Sequence, residues 1–411
     1  MRDAASVSQP KDPFQIVTDS VDISKTSVGK MMNKFFSSKP GIIFVGLFIG
    51  VIAGILQQEG NPGNMGFCVA CFERDIAGAL GLHSAGVVQY LRPEILGFIL
   101  GAFVAALLFR EYRARTGSAP SIRFVLGFFA MIGALVFLGC PWRAFIRLAG
   151  GDLNAVLGIL GLGAGVWVGS LFIKEGFNLG RSRKAHPIVG MVLPIIALVL
   201  LVLVLVDPVF DEGQIQRDAE GNPILDDQGN EISIEKSVLK ESISGPGSQY
   251  APLALAFGAA LAVGFFAQRS RFCTIAGIRD TILIRDFHLL LGVIALVVGV
   301  FVTNLVFGNF ELGTEGQPVA HDDGLWNFMG MLLAGLAFAL AGGCPGRQLI
   351  LAGEGDADST VFVFGMVAGA AFAHNFRTAA GPGGVGDWSI PAVFLGLVVC
   401  LAIAYFMRDK V

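Results

Sequence analysis

The stretch GGCPGRQLILAGEGD, residues 342–356, directly follows an apolar run and sets a cysteine, a proline and an arginine within four positions. The stretch LGCPWRAFIRLAGGD, residues 138–152, has the same frame. Gly139, Cys140, Pro141, Arg143, Ile146, Gly151 and Asp152 recur as Gly343, Cys344, Pro345, Arg347, Ile350, Gly355 and Asp356, a shift of 204 residues. A second pair of segments repeats in the same order. GFCVACFERD, residues 66–75, and RFCTIAGIRD, residues 271–280, share Phe-Cys-x5-Arg-Asp at a shift of 205. GLGAG at 161–165 and GMVAG at 365–369 keep the shift of 204. The chain therefore reads as two related halves.

Composition says where those halves reside. Of 411 residues, 54% are hydrophobic and 15% charged, where a soluble domain carries roughly 25% charged residues. The mean hydropathy is +0.68. Apolar runs of near-spanning length fall at about 41–57, 94–110, 122–138, 154–173, 188–206, 251–267, 286–307, 325–341, 359–374 and 391–407. The expectation is an all-α polytopic membrane protein with ten apolar helices. Its 55 glycines fit helices that pack closely in lipid. Lys and Arg sit in short interhelical segments, which speaks against nucleic-acid binding.

The lysine and arginine asymmetry places both termini on the cytoplasmic side. Residues 207–250 carry ten acidic and three basic residues and fall on the outer side. Within them DAEGNPILDDQGNE reads as turns or a small hairpin. The organisation expected is a polar cytoplasmic segment at 1–40, a first membrane repeat at 41–206, an outer acidic loop at 207–250 and a second repeat at 251–411. Each half holds five apolar runs. Five is odd, so the second half starts on the opposite side, and the halves are expected to be inverted repeats, as in many transporters.

The motifs add short, non-spanning helices. Proline is favoured at the first helical position, so Pro141 and Pro345 place Cys140 and Cys344 at N-caps, with Arg143 and Arg347 one turn in. Free N–H groups and the positive dipole end then converge near each sulfur, where they attract anions. The Phe-Cys segments read as short helices carrying Cys68 and Cys273. There Arg74–Asp75 and Arg279–Asp280 are expected to brace different neighbours rather than each other. Cys68-x-x-Cys71 raises a redox or metal role, but Ala276 replaces the second cysteine in the other half, and no second ligand pair completes a zinc site. Cys400 reads as an inert buried thiol. His83, His186, His288, His321 and His374 show no mutual spacing and read as helix-end or loop residues. Trp142, Trp326 and Trp388 read as membrane-belt residues.

NPGNMGFCVACFERDIAGALGLH (61–83), GCPWR (139–143), RFCTIAGIRD (271–280) and GGCPGR (342–347) together resemble the YeeE/YedE family over about residues 41–407. The 61–83 segment and the added outer loop are most similar to its YedE branch, the selenium metabolism membrane proteins. The resemblance implies an inner-membrane transporter for a sulfur-containing anion, thiosulfate in the YeeE branch, shaped as an hourglass of inverted repeats. It implies substrate contact by thiols at Cys68, Cys140 and Cys344, with Cys273 at the matching inverted position. It further implies a sulfur- or selenium-bearing cargo and a cytoplasmic sulfur carrier of the TusA type as partner. Arg74, Arg143, Arg279 and Arg347 would draw the anion in; Pro141, Pro345, Asp75 and Asp280 would support the site. No cofactor and no metal enter this reading, and the chain is not expected to be an enzyme. Its competitor is a membrane sulfurtransferase that relays sulfur or selenium as a persulfide to a carrier protein. A redox sensor built on Cys68 and Cys71 is disfavoured because that pair is not duplicated.

Overall fold

A computed structural model describes residues 23–215 and 233–409. Residues 1–22 of the N-terminal segment and the DAEGNPILDDQGNE stretch lie outside the described residues. Every apolar run is helical. After α1 (Ser27–Phe36) come α2 (Lys39–Gln58), α3 (Val69–Ala79), α4 (Pro93–Leu108), α5 (Pro120–Phe137), α6 (Pro141–Ala149) and α7 (Asn154–Lys174). A single turn, α8 (Pro187–Gly190), leads into α9 (Val192–Val206). The second half runs α10 (Leu253–Ser270), α11 (Thr274–Ile284), α12 (His288–Phe307), α13 (Gly324–Ala341), α14 (Pro345–Gly353), α15 (Ala357–Asn375) and α16 (Ser389–Phe406).

Eight of the described helical segments are long and apolar enough to cross a membrane. α4 and α9 are apolar but shorter. At 1.5 Å per residue they reach only about 24 Å and about 22 Å, less than the ~30 Å hydrocarbon thickness. The expected run at 188–206 is divided at Met191. Pro194 lacks an N–H and is tolerated only in a first turn, so α9 starts at Val192. Two small antiparallel pairs complete the fold. β1 (Arg115–Thr116) pairs with β2 (Arg183–Lys184), and β3 (Val209–Ile215) pairs with β4 (Ser233–Ser237) on either side of the acidic loop's middle. The N-terminal segment is not wholly free of the core. Phe36 at the end of α1 is buried, with its ring 5.6 Å from that of Phe266.

Helix pairings in one half reappear with the halves exchanged. α7 packs on α13 and α15 on α5; α12 packs on α2 and α10 on α4; α14 packs on α4 and α12 on α6. The repeated glycines explain the first of these pairings. A Cβ at Gly161 or Gly165 would stand 2.1 Å from the Phe328 carbonyl oxygen or 2.2 Å from that of Leu332. A Cβ at Gly365 or Gly369 would stand 2.2 Å from the Phe124 oxygen or 2.6 Å from that of Phe128. Each glycine thus lets one backbone lie directly on another, where dispersion and packing hold helices together in lipid.

Gly161→Ala or Gly365→Ala must push two helices apart. Each is expected to cost about 1–3 kcal/mol and to lower the thermal midpoint of detergent-solubilised protein. Gly163→Ala, at a glycine facing open space, should leave the midpoint unchanged.

Candidate functional site

Each cysteine motif sits where a helix stops and a new one starts. α5 ends at Phe137, Leu138 turns left-handed at φ 64°, and Cys140 is the extended N-cap of α6 with Pro141 at its start. α13 ends at Ala341, Gly342 turns at φ 89°, and Cys344 caps α14 in the same way. α10 ends at Ser270, Arg271 turns at φ 56°, and Cys273 caps α11. Cys68 caps α3, so all four expected cysteines are N-caps. Three of them accept a hydrogen bond from their own first turn: Cys68 from the Cys71 N–H, Cys273 from that of Ala276 and Cys344 from that of Arg347, each at 3.4 Å.

The fold joins these caps in twos. Cys68 Sγ lies 3.8 Å from Cys140 Sγ. Cys140 itself accepts no capping hydrogen bond from its own helix. In the second half Cys273 Sγ accepts both from the Ala276 N–H of α11 and, at 3.5 Å, from the Cys344 N–H at the start of α14. Two helix N-termini therefore meet at each thiol pair, and such ends favour negative charge. All six cysteines are buried free thiols. Among the described residues no cluster of His, Cys, Asp or Glu has the arrangement of a metal site.

The arginines differ in their partners. Arg143 is fully buried, and its hydrogen bonds go to neutral groups. It donates to the carbonyls of Asn64 at 3.1 Å, Pro318 at 3.3 Å, Val319 at 3.1 Å and Leu138, and to Cys71 Sγ at 3.7 Å. Among the described residues no carboxylate forms an ion pair with it. Arg347 pairs with Glu354 at 3.3 Å. Gln268 contacts the same Glu354 oxygen at 3.4 Å and Glu111 at 2.8 Å.

The expectation that each Arg-Asp neighbour pair braces other groups is overturned. Arg74 Nε donates to Asp75 Oδ1 at 2.9 Å, and Arg279 Nε to Asp280 Oδ1 at 2.9 Å. The α-helical backbone lets a bent guanidinium reach the adjacent carboxylate, which sequence adjacency alone argued against. Asp75 does hold a further partner, Arg92 Nε at 2.8 Å. Arg92 in turn donates to the Gln249 and Pro246 carbonyls at 2.9 Å and 2.7 Å.

Trp142 is likewise no belt residue. It has no exposed surface and packs against Phe67, Phe98 and Phe272, because it lies in the first turn of a short buried helix. Trp388, by contrast, is largely exposed.

Several buried residues escaped the sequence reading. Arg147 pairs with Asp152 at 2.6 Å and donates to the Phe137 carbonyl at 2.7 Å. Recurrence of Asp152 as Asp356 was the available signal, although Asp356 pairs instead with Arg115. His83 and His374, unrelated in spacing, stack with ring centroids 4.7 Å apart. Glu73 is buried on α3 with no hydrogen-bond partner for either oxygen among the described residues.

Helices on this scale, with charged and thiol side chains gathered at buried helix starts, define a multi-pass membrane protein with a polar interior. Residues 269–405 match the family model described as Sulphur transport. That range runs from the end of α10 through both second-half cysteine motifs into α16. The resemblance to YeeE/YedE sulfur transport therefore holds over this part of the chain, and the match does not separate the YedE branch from others. A search of curated proteins returned no match.

Asp75 holds two guanidinium groups at a site with no solvent. Asp75→Asn leaves both without their carboxylate and is expected to cost about 3–5 kcal/mol, read as loss of folded protein after extraction. Asp280→Asn breaks a pair whose side chains are about a quarter exposed and should cost about 1 kcal/mol or less.

Proposed function

We propose that the protein passes a small sulfur- or selenium-containing anion, thiosulfate-like, across the inner membrane between two half-sites. The observation that carries this reading is the meeting of two helix N-caps at neighbouring thiols in each half, Cys68 Sγ with Cys140 Sγ at 3.8 Å and the Cys344 N–H with Cys273 Sγ at 3.5 Å. An oxyanion resists leaving water, and inward-facing N–H groups replace part of its hydration. Thiols are weak, soft donors that suit a terminal sulfur or selenium. Conduction needs sites that bind without retaining. Cys68 and Cys140 form one such site, Cys273 and Cys344 the other.

The exchanged helix pairings support two related halves at 41–206 and 251–411; the odd number of apolar runs in each half favours their inversion, and the lysine and arginine asymmetry favours 1–40 and both termini in the cytoplasm with 207–250 outside. Arg143 supplies a positive charge that no carboxylate cancels, so it is the strongest attractor of the four arginines. Arg74, Arg279 and Arg347 are ion-paired and act mainly by orienting the helices. Pro141 and Pro345 set the helix starts. A TusA-type carrier is the cytoplasmic partner that fits delivery of reduced sulfur or selenium.

The 3.8 Å contact between Cys68 and Cys140 also favours a second reading, sulfur relay. There a thiolate attacks the outer sulfur of thiosulfate, the S–S bond breaks, sulfite leaves, and the sulfur stays as a persulfide that the neighbouring thiol can take.

Cys140→Ala and Cys344→Ala are each expected to abolish uptake of labelled thiosulfate or selenium oxyanion into proteoliposomes while the protein stays folded. Uptake at wild-type rates in both variants would sink the thiol half-sites. Mass spectrometry of protein after turnover separates the two readings: unmodified cysteines with uptake support passage, and a turnover-dependent persulfide supports relay.

A further inference from the structure

Trp142 and Gly346 hold equivalent places in the two Cys-Pro segments, two residues beyond Cys140 and Cys344. Trp142 is the bulkiest of the fully buried side chains. Its ring centroid lies 5.9 Å from Phe67 and 5.4 Å from Phe272, the residues that immediately precede Cys68 and Cys273. The third neighbour is Phe98, at 5.8 Å. The indole edge faces Gly346, where a Cβ would stand 3.1 Å from Cζ2 and 3.3 Å from Cε2. One ring thus touches the start of the second Cys-Pro helix while belonging to the first. It lies between the two thiol pairs.

The indole nitrogen, bonded to that same Cε2, is buried and has no acceptor among the described residues. Buried tryptophan N–H groups normally find one, and an orphaned donor is costly. Such a donor suits a partner that is present only in passing. Thiosulfate has two chemical ends: a soft terminal sulfur that thiols can meet, and hard oxygens that need N–H groups.

We propose that Trp142 is the gate between the half-sites: its ring closes the path at rest, and its Nε1–H receives an oxygen of the anion as the cargo moves from Cys68 and Cys140 to Cys273 and Cys344. The inference rests on the transport reading above. Gly346 is the space that lets the ring reach across; a second large side chain there would leave no room for both.

The test uses purified full-length protein in liposomes, with Trp142→Phe and Trp142→Ala beside the wild type. Uptake of labelled thiosulfate is one measurement. Influx of iodide, which has no oxygen to accept a hydrogen bond and needs only an open way, is the other. Phenylalanine keeps the plug and removes the donor, so thiosulfate uptake should fall by about tenfold or more with no iodide leak. Alanine removes the plug, so iodide influx should rise by about tenfold or more. Should alanine fail to fold, Trp142→Leu keeps apolar filling and is expected to leak as well. Wild-type thiosulfate uptake by Trp142→Phe overturns the donor role. Liposomes of a folded alanine or leucine variant as tight as wild type overturn the gate. A wild type that moves no thiosulfate, with iodide leaking only once Trp142 is cut back, rejects the cargo and upholds the gate.

Discussion

A helix that stops inside a membrane leaves its last carbonyls and the next helix's first N–H groups without water to satisfy them. The rest of this structure depends on how that demand is met at the cysteine motifs. On the N–H side, sulfurs of Cys68, Cys273 and Cys344 accept from the first turn of their own helices. On the carbonyl side, side chains reach back. Arg147 takes the Phe137 oxygen and Arg143 that of Leu138; Arg123 and Gln348 take that of Ala341 at 3.0 Å and 3.2 Å. The charged residues beside the thiols therefore close the backbone as well as shape the field. Irregular backbone at such depth is tolerated only where protein encloses it, and the aromatic cluster around Trp142 provides that enclosure.

The two halves solve the same problem with unequal parts. Leu138 occupies the left-handed turn where the second half has Gly342, a conformation that costs a residue with a Cβ about 1–2 kcal/mol. The strain is held by Arg143 and Cys71, both of which donate to the Leu138 carbonyl. The glycine in the second half needs no such clamp, and Arg347 is free to pair with Glu354. Glu354 itself has Gly150 as its counterpart, and a Cβ at Gly150 would stand 2.0 Å from Asn64 Oδ1. One substitution pattern thus follows from the other: where the turn is strained, the arginine is committed to backbone, and where it is relaxed, the arginine meets a carboxylate.

Much of this was legible in the residues. Ten apolar runs became ten helices, and Cys-Pro at a run's end marked a helix start because proline's missing N–H is harmless only there. The GLGAG and GMVAG echo marks close helix contacts, since only a residue without a Cβ permits them. What escaped was set by side-chain reach and by long-range neighbours. Trp142 follows an apolar run that reads as a span ending at an interface, whereas α6 turns back into the core. Adjacent Arg and Asp were expected to diverge, yet a flexible guanidinium folds onto its neighbour. His83 and His374 meet only because α15 packs on α3, which no local pattern records.

The asymmetry bears on direction. Around the first thiol pair, Arg143 pairs with no carboxylate among the described residues, and Arg74 and Arg92 share one, Asp75. Around the second, Arg347 and Arg279 each have their own. Buried charges are weakly screened, so on the proposed transport reading the first site would hold an anion more firmly than the second. A carrier with equal wells would return cargo as readily as it advances it. A step from an electropositive site to a neutralised one needs help to proceed inward. On the proposed transport reading, Glu354 would limit how long the second site holds the anion, because it would compete with the cargo for Arg347. Release rather than capture would then be the step the second half eases, and an acceptor that removes the anion on arrival would complete the cycle without further binding strength from the protein.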